Sequence, residues 1–191
     1  ARVVVRSLGI LSTLVLARVL VPADFGLIAV AMAVIGFLES ATQLNFSHAL
    51  IHYRDADDTD YATAWTLGLV RGVLLAIVAL AVAYPVSILT DEARVVPLIA
   101  ALALLPLISG MENTRFVVYE KRLRFDKLFW LMASTKVVGV LVAVSIAVDW
   151  RSYWALVAGM LATNVMRTTL TFIMVPGPAW VTMRSWRKLL Q

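Results

Sequence analysis

The chain has 191 residues, 61% of them hydrophobic and 15% charged, with a mean hydropathy of +0.87. Soluble domains run near 45–50% apolar and about 25% charged, so this is the composition of a membrane protein. The absence of cysteine excludes disulfide scaffolds, thiolate zinc sites and cysteine nucleophiles, and the net charge of +5 has to be read from where the charges sit.

In chain order, six apolar segments are expected to cross the bilayer as helices. The first covers residues 3–21 and is ended by Pro22. The second, 25–51, is uncharged from Phe25 to Leu38 and carries one carboxylate, Glu39. Its length suits a tilted span, and a charge inside such a span costs roughly 2.5–3.5 kcal/mol, which makes Glu39 a candidate functional residue. The polar loop 52–60 follows. The third span is 61–84, closed by Pro85 and the polar turn at 90–94. The fourth is 95–118, then the basic loop YEKRLRFDK at 119–127. The fifth is 128–148, and the sixth is 153–175, stopped by Pro176, Gly177 and Pro178. No stretch resembles an inter-domain tether, so the reading is a single all-α integral membrane bundle, 1–191. The chain starts at Ala1 and ends at Gln191 just after a basic segment, which reads as a fragment of something longer.

Lysines and arginines in the short loops set the orientation. Arg2, Arg54, Lys121, Arg122, Arg124, Lys127, Arg184, Arg187 and Lys188 fall on one side, against Arg18, Arg94 and Arg151 on the other. This places the N-terminus, the 52–60 and 119–127 loops and the tail in the cytoplasm. The excess positive charge thus belongs to membrane topology, and no nucleic-acid partner is expected.

Five basic residues remain inside or near spans: Arg6, Arg71, Arg115, Lys136 and Arg167. Arg6 and Arg115 are near enough to a boundary to snorkel. Arg71, Lys136 and Arg167 lie near mid-span and would together cost on the order of 8–10 kcal/mol against lipid, so they must face protein or water. The interior carboxylates are Glu39 and Glu112, and Glu112 is placed to pair with Arg115 at i+3. Polar stripes at i, i+3, i+4, i+7 reinforce the idea of a lined cavity. They are Asn164, Arg167, Thr168 and Thr171; Ser109, Glu112, Asn113 and Phe116; and Glu39, Thr42, Gln43 and Phe46. Such stripes also hold ordinary helix bundles together. With the excess of interior cations, a water-filled cavity suited to an anion is the better reading.

Other motifs carry less. Gly68 and Gly72 form a GxxxG, expected to pack inside the bundle because Arg71 adjoins it. His48 and His52 have helical metal spacing, but residue 49 is Ala and no third ligand is apparent. Asp24, Phe25 and Gly26 spell a kinase triplet without its companions, and Asp24 reads as a helix N-cap. Asp55, Asp57, Asp58 and Asp60 read as a solvated loop. No metal and no cofactor are expected.

The stretch ARVLVPADFGLIAVAMAVIGFLE resembles the start of bacterial Wzx-type oligosaccharide flippases, the polysaccharide-exporter branch of the MOP (MATE-like) superfamily. Those proteins read ARLL-x-P-x-DFG into their second span, matched here by Ala17, Arg18, Leu20, Pro22, Asp24, Phe25 and Gly26, with Val19 in place of a Leu. FSHALIHYRD at 46–55 resembles the family's FSAALIQRxD, EKRLRFDK at 120–127 its RxLRFxK segment, and RSWRKLL its link after span six. The likeness runs collinearly over nearly the whole chain. It implies the N-terminal six-helix lobe of a two-lobed transporter of twelve to fourteen spans in the bacterial inner membrane. It further implies transport, not enzymatic catalysis, of undecaprenyl-pyrophosphate-linked sugar repeat units for O-antigen, capsule or exopolysaccharide. Expected partners are that lipid-linked oligosaccharide, membrane lipids, the C-terminal lobe, and the polymerase and chain-length machinery. On this reading Arg71, Lys136, Arg167 and Arg6 attract the pyrophosphate. Gln43, Asn113 and Asn164 bond sugar hydroxyls, and Glu39 or Glu112 carries a coupling proton. A lipid II flippase, a MATE-type drug exporter and a membrane enzyme acting on polyprenyl phosphates stay open as alternatives.

Overall fold

The structure, a computed structural model, describes residues 18, 21–42, 57–121, 125–150, 152–175 and 182. The expected span 3–21 lies outside these except at Arg18 and Val21. Among the described residues every regular element is helical. The elements are α1 (Pro22–Ala41), α2 (Asp58–Thr90), α3 (Val95–Leu102) and α4 (Leu104–Gly110), then a 3₁₀ turn (Thr114–Phe116), α5 (Val117–Lys121), α6 (Phe125–Trp150) and α7 (Trp154–Met174). Four are long and apolar enough to cross a bilayer: Pro22–Ala41, Asp58–Thr90, Asp126–Asp149 and Trp154–Met174.

α1 starts earlier and stops sooner than the expected 25–51. Pro22 takes the first helical position, where its missing N–H costs nothing, and Val21 is the N-cap. Asp24 is therefore not the cap: it sits, buried, in the first turn, where a carboxylate suits the helix dipole. The helix ends at Ala41 because its last carbonyls find other donors. The Thr42 hydroxyl donates to Leu38 O at 2.8 Å, and Arg71 Nη2 from α2 donates to Glu39 O at 3.0 Å. Gln43 and Phe46, to which the expected stripe continues, lie outside the described residues.

α2 is longer than the expected 61–84. It opens on a capping box, with the Asp60 carboxylate accepting from the Asp57 N–H at 3.2 Å, so part of the acidic run is a helix start rather than a loop. It then runs through Pro85 to Thr90. Proline denies a hydrogen bond to Ala81 O, and the turns after it carry hydroxyl bonds to the main chain: Ser87 Oγ donates to Tyr84 O at 2.8 Å and Thr90 Oγ1 to Val86 O at 2.9 Å. Asp91, at φ 51°, closes the helix in the left-handed region that short polar residues tolerate.

The expected fourth span, 95–118, is not one helix. Pro106 cannot donate to the carbonyl of Leu102, and the chain hitches at Ala103 between α3 and α4. It breaks again after Gly110, and Asn113 caps the 3₁₀ turn, its Oδ1 accepting from Arg115 N at 3.0 Å. The stripe Ser109, Glu112, Asn113, Phe116 is therefore split between two elements.

This broken element is the centre of the bundle. Val95, Leu98, Ile99 and Leu102 of α3 are fully buried against Leu27, Ala31 and Ile35 of α1, Ala79 and Ala83 of α2 and Val157 of α7. α4 lies on α2 through glycine. A Cβ on Gly72 would sit 2.5 Å from Pro106 O, and one on Gly110 would sit 2.5 Å from Gly68 O. The GxxxG does face a neighbour inside the bundle. A second close crossing, not anticipated from the sequence, joins α6 to α7 at Gly139 and Gly159, where a Cβ on Gly159 would meet Gly139 O at 2.8 Å. The outer face of α2 exposes Val70, Val73, Leu74, Ile77, Leu80 and Tyr84, the surface a lipid bilayer would cover.

Candidate functional site

Loops at the two ends of the bundle are grouped by contacts. At one end Arg94 bonds Glu92 at 2.8 Å and 3.0 Å. That bond, with the Glu92 charge behind it, raises the Arg94 pKa against a small opposing desolvation, and the charges of Asp24 and Tyr153 add to the rise. At the other end Arg115 Nη2 lies 2.9 Å from Asp58 Oδ1, out of line for a hydrogen bond, with its guanidinium 5.7 Å from the centre of the Tyr61 ring. Tyr119 Oη donates to Met174 O at 3.0 Å, and Thr182 N donates to Thr66 Oγ1 at 3.0 Å.

Between these ends, α7 is tied to the broken element by side chains. Thr168 Oγ1 donates to Ile108 O at 3.1 Å, and the Asn113 N–H donates to Thr171 Oγ1 at 3.3 Å. Asn113 Nδ2 donates to Val175 O at 2.8 Å and, more distantly, to Thr171 O at 3.5 Å. From α2, Trp65 Nε1 donates to Met111 O at 3.1 Å. The break thus regains from α2 and α7 the hydrogen bonds that its own helix gives up.

Arg167 completes the row. Its Nε donates to Glu112 Oε1 at 3.0 Å, with the Arg side chain 54% exposed and that of Glu112 23%. The expected partner of Glu112 was Arg115. Because the helix stops at Gly110, residues 112 and 115 are not stacked a turn apart, and each finds its counter-charge on another helix. From the α6–α7 turn, Arg167 lies about 20 Å along α7 and Lys136 about 21 Å along α6. Both are one turn past the glycine crossing, Lys136 beyond Gly139 and Arg167 beyond Thr163, so the two cations stand at one level on neighbouring helices. Arg71 lies on α2, about 28 Å from its Thr90 end, next to Gly72, whose Cβ would meet Pro106 O. Its Nη2 meets Glu39 O, and its Nε donates to Thr42 Oγ1 at 3.3 Å.

The structure therefore brings Arg167 and Glu112 together and sets Lys136, half-buried, at their level. Arg71 joins Glu39, but through the main-chain carbonyl of Glu39. Asn113 is buried, with its amide engaged at both ends. Asn164 Nδ2 donates within its own helix to Met160 O at 3.0 Å. Arg6 and Gln43 lie outside the described residues, as do His48 and His52. No group of three or more His, Asp or Glu placed to hold a metal occurs among the described residues. Thr168, expected as part of a cavity-lining stripe, and Trp65, given no site role by the sequence, both serve the break instead. Their signal was available only as hydroxyl and indole donors opposite a Pro-interrupted apolar run.

A family model described as "Polysaccharide biosynthesis protein" matches residues 15–190. The chain is similar to "Lipopolysaccharide biosynthesis protein WzxC" of Escherichia coli (strain K12), at 21% identity over 170 residues, 89% of this chain and 35% of the relative. It is also similar to "Uncharacterized membrane protein in cps region" of Klebsiella pneumoniae, at 25% identity over 163 residues, 85% of this chain and 34% of the relative. The chain spans about a third of the length of these curated relatives. No solved structure matches it.

Proposed function

Because this chain belongs to the polysaccharide biosynthesis protein family, we propose that it forms one lobe of a flippase that carries lipid-linked oligosaccharide across the bacterial inner membrane. The observation that carries the reading is the Arg167–Glu112 pair, with its arginine half-exposed yet about 10 Å inside the nearer, Met174 end of α7. A charged pair cannot face hydrocarbon at that depth without a cost of several kcal/mol, so its open side looks onto water or onto a second lobe. With Lys136 level beside it, the site holds two cations against one carboxylate. That surplus suits the pyrophosphate of a polyprenyl-linked sugar, the substrate implied by the likeness to Wzx-type flippases.

In this mechanism Lys136 and Arg167 hold the pyrophosphate, the substrate competing with Glu112 for the guanidinium. Arg6 is kept as a further cation for the same cavity, and Gln43, Asn113 and Asn164 as its sugar-facing polar groups. Of these, Asn164 has more of its side chain left to offer than Asn113, whose amide is already engaged. Glu112, released as substrate binds, and Glu39 are the candidates to take a coupling proton. A second lobe closes the cavity, and the two rock about it to give alternating access. The polymerase and chain-length machinery would receive the delivered units.

The test restores a deletion strain with the full natural protein, wild type or Lys136→Gln/Arg167→Gln, at equal expression. Lipid-linked oligosaccharide on the inner leaflet and polysaccharide at the surface are then measured. Accumulation inside with loss outside, rescued by wild type and not by the double variant, is the expected result. Rescue by the variant would discard the site and leave the transporter. No accumulation in the deletion strain, given a strain that makes the precursor and lacks a redundant transporter, would overturn the function.

A further inference from the structure

Of the three mid-span cations expected to meet substrate, Arg71 alone is already bound by backbone. Its Nη2 donates to Glu39 O at 3.0 Å and its Nε to Thr42 Oγ1 at 3.3 Å. These acceptors lie at the C-terminal end of α1, where carbonyls lack partners from their own helix and the dipole is negative. The Thr42 hydroxyl is itself turned to Leu38 O at 2.8 Å, leaving its oxygen free to accept from Arg71. Hydroxyl and guanidinium thus terminate α1 as one unit, reaching from α2.

We propose that Arg71 is a positioning residue: a clasp that holds the C-terminal end of α1, and with it the Glu39 turn, against α2, rather than a contact to the transported anion. The clasp uses the fork geometry of a guanidinium, two donors meeting two acceptors, which an ammonium cannot reproduce. It also accounts for keeping a cation in an apolar span: the charge is matched by a helix end instead of a carboxylate. This assignment rests on the structure of α1 and α2 and does not depend on which substrate is carried.

The experiment uses the full natural protein in nanodiscs, with wild type compared to Arg71→Gln, Arg71→Lys and Thr42→Val. Backbone hydrogen exchange is followed in the peptide that ends at residue 42, and binding of inorganic pyrophosphate is measured in parallel. Charge-assisted hydrogen bonds of this kind are worth enough that Arg71→Gln should speed exchange at the α1 end by about 10-fold or more. Exchange in α7 and pyrophosphate affinity should stay within about twofold of wild type. Arg71→Lys should recover little of the protection. Thr42→Val, which leaves the cation in place, should loosen the same peptide to a smaller extent and so keeps the test open if Arg71→Gln does not fold. Unchanged exchange at the α1 end together with weakened pyrophosphate binding would overturn the clasp and return Arg71 to the substrate site. Unchanged exchange with unchanged binding would overturn it as well. Failure of the flippase reading would show only in the transport assay and leave the exchange result standing.

Discussion

The glycine crossing between α2 and α4 gives the sharpest mechanical test. In Gly72→Ala the new methyl would stand 2.5 Å from Pro106 O, 3.2 Å from Leu107 Cα and 3.3 Å from Pro106 C, all of them backbone. Ordinary contact begins near 3.4 Å, so the helices must part by about 0.9 Å, and no rotamer change can absorb it. Over-packing of this kind costs about 1–3 kcal/mol, partly offset by the roughly 1 kcal/mol that alanine gains over glycine in a helix interior. The net expectation is a loss of up to about 2 kcal/mol. Gly36→Ala is the internal reference, because a Cβ there meets nothing within 4 Å and only the propensity gain of about 0.5–1 kcal/mol applies. Equilibrium unfolding of the purified protein in mixed micelles, titrated with dodecyl sulfate, measures both variants against wild type. A Gly72→Ala protein as stable as Gly36→Ala would refute the close approach of α2 and α4.

Two further outcomes are expected. Asn113→Ala removes the donor to Val175 O and the acceptor for Arg115 N, so buried groups on both sides lose partners at about 1–3 kcal/mol. The same unfolding titration should show the loss, and Asn113→Asp, which keeps only the acceptor, should fall between. At the exposed turn, the hydrogen bond from Arg94 holds the Glu92 carboxyl below its ordinary value, so whatever the pair contributes is present above that value and fades as pH falls through the lowered one. Carbon-detected titration of Glu92 should therefore show its midpoint rising in Arg94→Gln; a midpoint that does not move would dismiss the pairing.

Much of this architecture was legible because hydrophobic run length and composition govern membrane helices. α6 and α7 fall within a few residues of the expected 128–148 and 153–175. What misled was punctuation by proline, which a helix carries through in one place and breaks at in another. Pro85 was expected to end a helix and does not: α2 runs through it to Thr90. Pro106 was passed over inside a span and marks its first break. Once that element was taken as continuous, the i+3 pairing of Glu112 with Arg115 followed, and it fails for the same reason. The level of Lys136 with Arg167 depends on the Gly139–Gly159 crossing, which is tertiary information: each glycine stands alone on its own helix, with no sequence repeat linking them. Arg71 was legible as a buried cation and not as a clasp, because its acceptors are backbone atoms at a helix end that the apolar pattern placed ten residues further on.

The ties between the break and α7 also set an order of events during synthesis. Asn113 and Glu112 emerge from the ribosome well before the residues that complete them, 58 positions before Thr171 and 55 before Arg167. At about 5–20 residues per second that interval is roughly 3–12 s. Throughout it the unwound segment exists with the Asn113 amide nitrogen and the Glu112 carboxylate without these α7 partners, and hydrocarbon offers them nothing. The segment must wait in a wet or protein-lined environment until the last helix arrives. Arrival of α7 is therefore the step at which this bundle becomes fit to be released into lipid.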